Sequence, residues 1–249
     1  GNHLPYITTL HGTDITLVGK DASYEPVVTF SINQSDGVTT VSDWLRDETF
    51  SNFNINREIE VIPNFIDFTR FHKVKKEHFK KIIAPGGEKV LIHTSNFRKV
   101  KRTDDVVKIF SEVRKEVNAK LLLVGDGPER QHMEQLCREL GVMEDTRFLG
   151  KQEAVEELLA VSDVFLMPSE TESFGLAALE AMACQVPVIS TNAGGLPEMN
   201  LHNKTGFMSN VGDVKDMANH TISLLNNDKM LSEFKKNALT QAQQFSVER

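Results

Sequence analysis

The run Val164-Phe165-Leu166-Met167-Pro168 leads directly into Ser169-Glu170-Thr171-Glu172-Ser173-Phe174-Gly175, and that turn into Leu176-Ala177-Ala178-Leu179-Glu180. A continuous apolar run bounded by a turn predicts a strand covered on both faces, as in parallel sheets. The Ala- and Leu-rich run that follows predicts a helix. The same alternation extends outward in both directions. Strands are predicted at 6–10, 37–41, 60–63, 89–94, 120–125, 147–150, 164–168, 187–191 and 206–210. Helices are predicted at 104–117, 128–140, 155–161, 175–184, 214–226 and 229–245. Strand-helix alternation of this kind predicts a doubly wound α/β fold.

One stretch breaks the rhythm. Phe68 to Glu88 is rich in Lys and ends in Ala84-Pro85-Gly86-Gly87. It reads as a connection between two units, with the linker itself at 71–88. The part from 89 to 249 holds enough strands for a complete Rossmann-like domain. The part from 1 to 70 holds only the last strands of one. The chain opens on Gly1-Asn2-His3 and not on Met, so it reads as a piece of a longer protein.

Four strand-to-helix turns carry the chemistry. In the first, Ser173 is a candidate N-cap for the helix that follows. The N–H groups of Phe174, Gly175 and Leu176 would then be free at the carboxyl edge of the sheet, where open α/β sheets bind ligands. A helix N-terminus there suits a phosphate, and Gly175 allows close approach to the backbone. Glu172 and Glu180 stand about 10 Å apart along the axis at about 1.5 Å per residue. A carboxylate beside a phosphate site suits a polyol, whose hydroxyls it accepts. Two acids at this separation fit two sugar rings flanking a diphosphate. On spacing alone they fit equally well as a dipole-favouring acid and a solvated helix Glu.

The second turn is Ser95-Asn96-Phe97-Arg98-Lys99-Val100-Lys101-Arg102, with four cations in its last five residues. Arg pairs with phosphate bidentately and Lys acts as a point charge. By itself the loop reads rather as a solvated basic loop or a weak nucleic-acid patch. The third, Val124-Gly125-Asp126-Gly127-Pro128-Glu129, starts like a dinucleotide fingerprint, but Arg130 occupies the place of the third Gly. It reads as a tight turn on the same crevice, which brings Gly127 to the ligand. The fourth is Thr8-Thr9-Leu10-His11-Gly12-Thr13-Asp14, where His11 ends a strand.

Bulk properties exclude several classes. The chain has 249 residues, 40% hydrophobic and 25% charged, with a formal net charge of −7. That balance is globular, and an acidic field does not attract nucleic acid or anionic lipid. The basic loop lacks the interleaved aromatics of a nucleic-acid platform. No apolar run reaches the roughly 20 residues of a membrane helix. The two cysteines, Cys137 and Cys184, sit in core-forming stretches and give no disulfide framework, as in a reducing, cytoplasmic setting. Metal-site spacings are absent, as are Walker and nucleophile-elbow motifs, so no metal and no cofactor is expected.

Taken together, these motifs resemble the retaining glycosyltransferases of family 4, which have the GT-B fold. The resemblance rests on Glu172-x7-Glu180 within Glu-Ser-Phe-Gly-Leu-Ala-Ala-Leu-Glu. It is joined in order by Val124-Gly125-Asp126-Gly127-Pro128, Phe148-Leu149-Gly150 and Gly194-Gly195-Leu196-Pro197-Glu198. It covers nearly the whole chain. Thr9-Leu10-His11-Gly12-Thr13-Asp14-Ile15-Thr16 and Ser95-Asn96-Phe97-Arg98 further resemble the bacillithiol-pathway branch, which joins N-acetylglucosamine from UDP-GlcNAc to L-malate. Other branches use inositol phosphates or polysaccharides as acceptors. A UDP-sugar-binding module without turnover is the reading from outside catalysis.

The resemblance implies a role for each matching position. Residues 89–249 would be the nucleotide-sugar-binding domain, and 1–70 the end of the acceptor-side domain. Glu180 would hold the ribose and Glu172 the donor sugar. Ser173, the N–H groups of Phe174, Gly175 and Leu176, and Gly127 would line the donor site. Arg98 and Lys101 would stabilise the leaving UDP, the family Arg five positions before the Lys being replaced by Asn96. His11 would lie near the transferred sugar and Thr9 near the acceptor. His11, Arg98, Lys101 and Glu172 are therefore the expected catalytic set. The family's glycine-rich first loop and final helix are not in the chain, which is then expected to bind UDP and to be inactive alone. The expected partners are UDP-GlcNAc and L-malate, without nucleic acid or membrane insertion, and a homo-oligomer is allowed.

Overall fold

Parallel strands that are covered on both faces must alternate their side chains between two cores, and the six-stranded sheet of this protein does so. A computed structural model describes residues 4–19, 21–74 and 77–247, so the opening Gly1–His3, Lys20, Lys75 and Lys76 of the linker, and the final Glu248 and Arg249 lie outside the described residues. The elements in order are β1 (Ile7–Leu10), α1 (Glu25–Gln34), β2 (Gly37–Thr40), α2 (Asp43–Asn52), β3 (Glu60–Val61), α3 (Glu77–Ile83) and β4 (Lys89–Ser95). They continue with α4 (Thr103–Arg114), β5 (Ala119–Gly125), α5 (Arg130–Glu139), β6 (Thr146–Gly150), α6 (Val155–Val161) and β7 (Val164–Met167). The chain closes with α7 (Leu176–Ala183), β8 (Val188–Thr191), α8 (Leu196–Met199), β9 (Gly206–Ser209), α9 (Val214–Leu225) and α10 (Asp228–Ala242).

All nine expected strands form. They build two parallel sheets, ordered β1-β2-β3 and β6-β5-β4-β7-β8-β9. The second order is that of the doubly wound dinucleotide-binding fold, and its winding direction reverses between β4 and β7. Val90, Ile92, Leu122, Val124, Phe165, Met167 and Val188 enter one core with residues of α6, α7 and α10. Leu91, Leu121, Leu123, Val164, Leu166 and Ile189 enter the other, with residues of α4, α5 and α9. The first core runs on into the smaller sheet through Leu10, Ile15, Ile32, Val38, Val41 and Leu45. Cys137 and Cys184 are free thiols buried in these cores. No helix of the described residues is long and apolar enough to cross a membrane.

The first unit holds helices that the periodicity did not predict. Ser42 caps α2 by accepting from the Leu45 N–H at 3.1 Å, a cap readable in the sequence but masked by a polar helix. Helix α1 leaves Val27 and Phe30 exposed, so no apolar stripe marks it. The linker contains α3 and is anchored. Lys80 of α3 and Lys235 of α10 both pair with Asp163, at 2.9 and 3.0 Å, and Asp163 also accepts from the Val90 N–H at 3.0 Å. Lys73 donates to the Ala160 carbonyl. Burial works against the Asp163 charge, yet the two lysines and the Val90 N–H hold its carboxyl below the ordinary range.

The Gly125-Asp126-Gly127 turn exists for backbone packing. Gly125 has φ 123°, and a Cβ there would lie 1.8 Å from the Ser95 carbonyl oxygen. At Gly127 it would lie 2.0 Å from the Asn96 carbonyl oxygen. The two glycines let the β5 turn lie directly on the β4 turn, and the Glu129 N–H donates to the Phe97 carbonyl at 3.0 Å.

Two outcomes follow. Gly125→Ala should cost about 3 kcal/mol or prevent folding, because strain and overlap with backbone act together; urea denaturation measures it. Asp163→Asn should cost about 3 kcal/mol at neutral pH by leaving two lysines around an uncharged group. A depressed carboxyl stabilises above its unfolded pKa of about 4 and loses that contribution as pH falls through the folded value. The gap between Asp163→Asn and the parent should therefore close in acid.

Candidate functional site

The reversal between β4 and β7 places two turns side by side: 95–102 after β4 and 168–175 after β7. The Glu170 N–H donates to the Val100 carbonyl at 2.8 Å, tying one to the other. Phe97 is fully buried in a left-handed conformation, φ 37°, and anchors the basic loop. Its neighbour Arg98 stays exposed, while Lys101 turns inward. Lys101 Nζ lies 2.7 Å from Glu172 Oε1, and the Ser169 hydroxyl donates to the same oxygen at 2.8 Å. The Glu172 side chain is 11% exposed, so this ion pair is largely desolvated. An ammonium carries three donors, so Lys101 can serve a carboxylate and a phosphate together.

Two cavities meet at this pair. One, of about 350 Å3, is lined by Asn64, Ser95, Asn96, Lys101, Glu172, Ser173 and the stretch Phe174-Gly175-Leu176-Ala177. The other, of about 330 Å3, is lined by His11, Gly12, Thr13 and Thr16 of the smaller sheet's unit, and by Arg98, Lys101 and Glu172 facing them. Lys101 and Glu172 belong to both walls. The larger hollows elsewhere lie between residues 62–69 and 243–247, away from this charged pair.

Helix α7 begins later than its sequence suggests. Gly175, φ 94°, occupies the N-cap position with no side-chain cap, so Ser173 is not the cap. The reason is packing: Ser173 is held between units, its carbonyl accepting from the Ser42 hydroxyl at 2.6 Å, and its side chain lying against Gly12. Leu176 and Ala177 then stand in the first turn, where backbone N–H groups have no helical acceptor. Phe174 is buried against Phe245, 5.5 Å between ring centroids.

Of the expected residues, the structure brings His11, Arg98, Lys101, Glu172, Ser173, Phe174, Gly175 and Leu176 to these cavities. Three stand back from the walls. Gly127 supports the basic loop from below. Thr9 exchanges a hydrogen bond with Thr39 across β1 and β2, 2.9 Å. Glu180 lies one turn along α7 from Leu176 and Ala177, on the continuation of their face. Burial pushes its carboxyl up to about 7; Arg70 pulls against this and Glu156 adds to it.

Several contributors escaped the sequence reading. Asn64, from the connection after β3, reaches the first cavity. His93 is buried beneath it, Nδ1 2.8 Å from the Leu166 carbonyl and Nε2 2.8 Å from Ser95 Oγ. Burial pushes its pKa down to about 4, despite the carbonyl, and Lys101 adds to the effect. The neutral ring donates from Nδ1 to the carbonyl, so Nε2 accepts the Ser95 hydroxyl proton. Gly194 and Gly195 are required by the Glu172 turn: a Cβ at Gly194 would lie 2.0 Å from the Glu172 carbonyl oxygen, and the Gly195 N–H donates to that oxygen at 2.8 Å. A glycine pair is visible in sequence, but its partner lies on another loop.

Comparison with known proteins adds the lineage. Residues 74–241 match the family described as glycosyl transferases group 1, and residues 1–70 match glycosyltransferase family 4. The N-acetyl-alpha-D-glucosaminyl L-malate synthase of Bacillus anthracis is 48% identical over 231 residues, 92% of this chain and 61% of that protein. A GDP-mannose-dependent alpha-(1-6)-phosphatidylinositol monomannoside mannosyltransferase of Mycobacterium tuberculosis is 32% identical over 77% of this chain and 53% of its own length. The chain thus spans between half and two thirds of these relatives. The Anabaena protein HepE, solved with UDP and glucose, superposes with a TM-score of 0.87 at 21% identity, over 97% of this chain and 67% of that one. At that identity the likeness concerns the fold, and the fold is GT-B. With both parts of the chain matched and two parallel sheets meeting at the cleft, this protein belongs to the group 1, family 4 glycosyltransferases.

Proposed function

We propose that this chain carries the donor site of a retaining transferase that moves N-acetylglucosamine from UDP-GlcNAc to L-malate. The observation that carries the reading is the Lys101–Glu172 pair shared by two cavities, one walled by the larger unit with Asn64 from the smaller, the other lying between His11, Gly12, Thr13 and Thr16 and the larger unit. The 48% identity to the Bacillus anthracis N-acetyl-alpha-D-glucosaminyl L-malate synthase supports the choice of transferred sugar and acceptor.

The roles follow from chemistry. The diphosphate sits over the free N–H groups at the start of α7, where the helix dipole favours negative charge. Lys101 and Arg98 stabilise the charge that grows on UDP as it leaves, which is where electrostatic preorganisation acts most strongly. Glu172 accepts from the donor sugar's hydroxyls. Glu180, one turn further along the same face, accepts from the ribose. The second cavity takes the acceptor, with Arg98 available to a carboxylate of malate. His11 and Thr13 close it from the smaller unit, near the transferred sugar. The acceptor hydroxyl attacks on the face that the phosphate leaves, and the departing phosphate oxygen takes its proton. The reading needs no metal and no cofactor.

Calorimetry with UDP and UDP-GlcNAc tests the donor site, and L-malate-dependent release of UDP by the full-length protein tests transfer. Absence of binding at millimolar nucleotide would overturn the reading. UDP release indifferent to malate would leave a binding module or another acceptor. Glu180→Ala should weaken UDP itself by about tenfold, the worth of one charged hydrogen bond. Glu172→Ala should leave bare UDP nearly unchanged and depress transfer. Equal loss of UDP affinity in both contradicts the division of roles.

Glu180 offers a second check. A carboxyl raised to about 7 costs nothing below its unfolded value of about 4.3, and the cost grows as pH rises between the two. Glu180→Gln should therefore unfold at higher temperature than the parent near pH 8 and at the same temperature near pH 4. Gain of stability with loss of UDP affinity is the signature of a charge kept for binding.

A further inference from the structure

Helix α2 belongs to the smaller sheet's unit, yet two of its three capped N-terminal N–H groups are held by the other unit. Glu198 of α8 accepts the Asp43 N–H on Oε2 at 3.0 Å and the Trp44 N–H on Oε1 at 2.8 Å. Ser42 supplies the rest of the cap, accepting from Leu45. A carboxylate on two first-turn donors combines charged hydrogen bonding with the helix dipole. The same Ser42 hydroxyl donates to the Ser173 carbonyl at 2.6 Å, and a Cβ at Gly195 would come within 3.2 Å of Ser42 Cβ. Gly12 lies on the opposite side, with no room for a Cβ against Ser173. The Glu172–Ser173 backbone is thus clasped between Gly12 and Ser42 of one unit and Gly194-Gly195 of its own.

We propose that Glu198 is a positioning residue for transfer: through the α2 cap and Ser42 it fixes the Glu172–Ser173 turn against the smaller unit. It touches neither cavity wall itself. The inference rests on the transferase reading, because its kinetic arm needs a reaction that spans both units. In that reading every group assigned to UDP belongs to the larger unit, and Asn64, the smaller unit's contribution to the first cavity, is not part of the clasp, so loss of the clasp spares UDP and harms only the step that requires both sides in register. Misplacement of about 1 Å in such a step costs up to about 100-fold.

The test compares Glu198→Gln, Glu198→Asp and Ser42→Ala with the parent. Hydrogen exchange at residues 43–45 reads the clasp directly, calorimetry reads UDP affinity, and steady-state kinetics on the full-length protein reads transfer. Gln keeps one acceptor oxygen and presents an amide N–H2 to the other donor. Glu198→Gln is expected to speed exchange at 43–44, leave the UDP Kd within about twofold and lower kcat between about 10- and 100-fold. Glu198→Asp should recover part of the kcat. Should Glu198→Gln fail to fold, Ser42→Ala, which cuts the bond to Ser173, carries the same expectation for kcat and UDP. Faster exchange with parental kcat overturns the proposal, as does a loss of UDP affinity that parallels the loss of kcat. If the parent neither binds UDP nor transfers, the transferase reading fails, while unchanged exchange at 43–44 in Glu198→Gln would separately dispose of the clasp.

Discussion

The structure depends on one topological constraint: β4 and β7 are neighbours in the sheet, but the chain leaves them in opposite directions. A helix follows each strand, and the two helices must cover opposite faces. The turns that lead to those helices therefore part from one another above the sheet edge and leave a crevice that backbone alone creates. The parallel strands supply a dry floor, here finished by neutral His93. Arg98, Lys101 and Glu172 hang from the two turns, His11 comes from the neighbouring unit, and Glu180 sits on the helix that follows the second turn. Nothing about the site's position requires a special side chain; only its chemistry does.

Holding two irregular turns that close together is a backbone problem. At several places carbonyl oxygens of one turn sit where the Cβ of another would be, and glycine resolves each conflict. Gly125 and Gly127 accept the β4 turn, and Gly194 and Gly195 accept the β7 turn. The motif that looks like a broken dinucleotide fingerprint is thus a set of contact points for a neighbouring loop. Electrostatics is divided in the same spirit. Glu172 is buried with two donors, and its charge is held in place. Glu180 is desolvated with only Arg70 pulling the other way, and burial holds its carboxyl above the ordinary range.

Much of this was legible in the sequence. Continuous apolar runs gave most of the six-stranded sheet, because strands packed on both sides have no polar face to obscure the pattern, whereas β1, β2 and β3 are partly exposed and were read from shorter, mixed runs. Strong amphipathic helices such as α4 and α9 were equally plain. Helices α1 and α2 were not, since α1 exposes Val27 and Phe30 and α2 is polar, so neither shows a clean stripe. Of the residues named from motifs, Lys101, Glu172 and Phe174 to Leu176 line the cavities of the candidate site. Asn64, His93 and Ser42 were not, because their relevance is a matter of long-range placement. The assignment of Ser173 as the cap failed for the same reason. Local preference favoured a serine there, but tertiary packing had already engaged it with Ser42 and Gly12.

The partition of the two cavity walls bears on how such a protein diversifies. The larger unit contributes to both cavities, whereas His11, Thr13 and Thr16 reach only the second. Under the proposed reading, the turn after β1 can change to suit a new acceptor while leaving untouched the first cavity, to which the smaller unit gives Asn64. The exchange is not unrestricted. Any substitute turn must keep a residue without a side chain where Gly12 meets Ser173, and any substitute α2 must keep a hydroxyl in the place of Ser42. In this protein the two units meet through two small residues, Gly12 and Ser42, that no bulkier side chain can replace without moving Ser173.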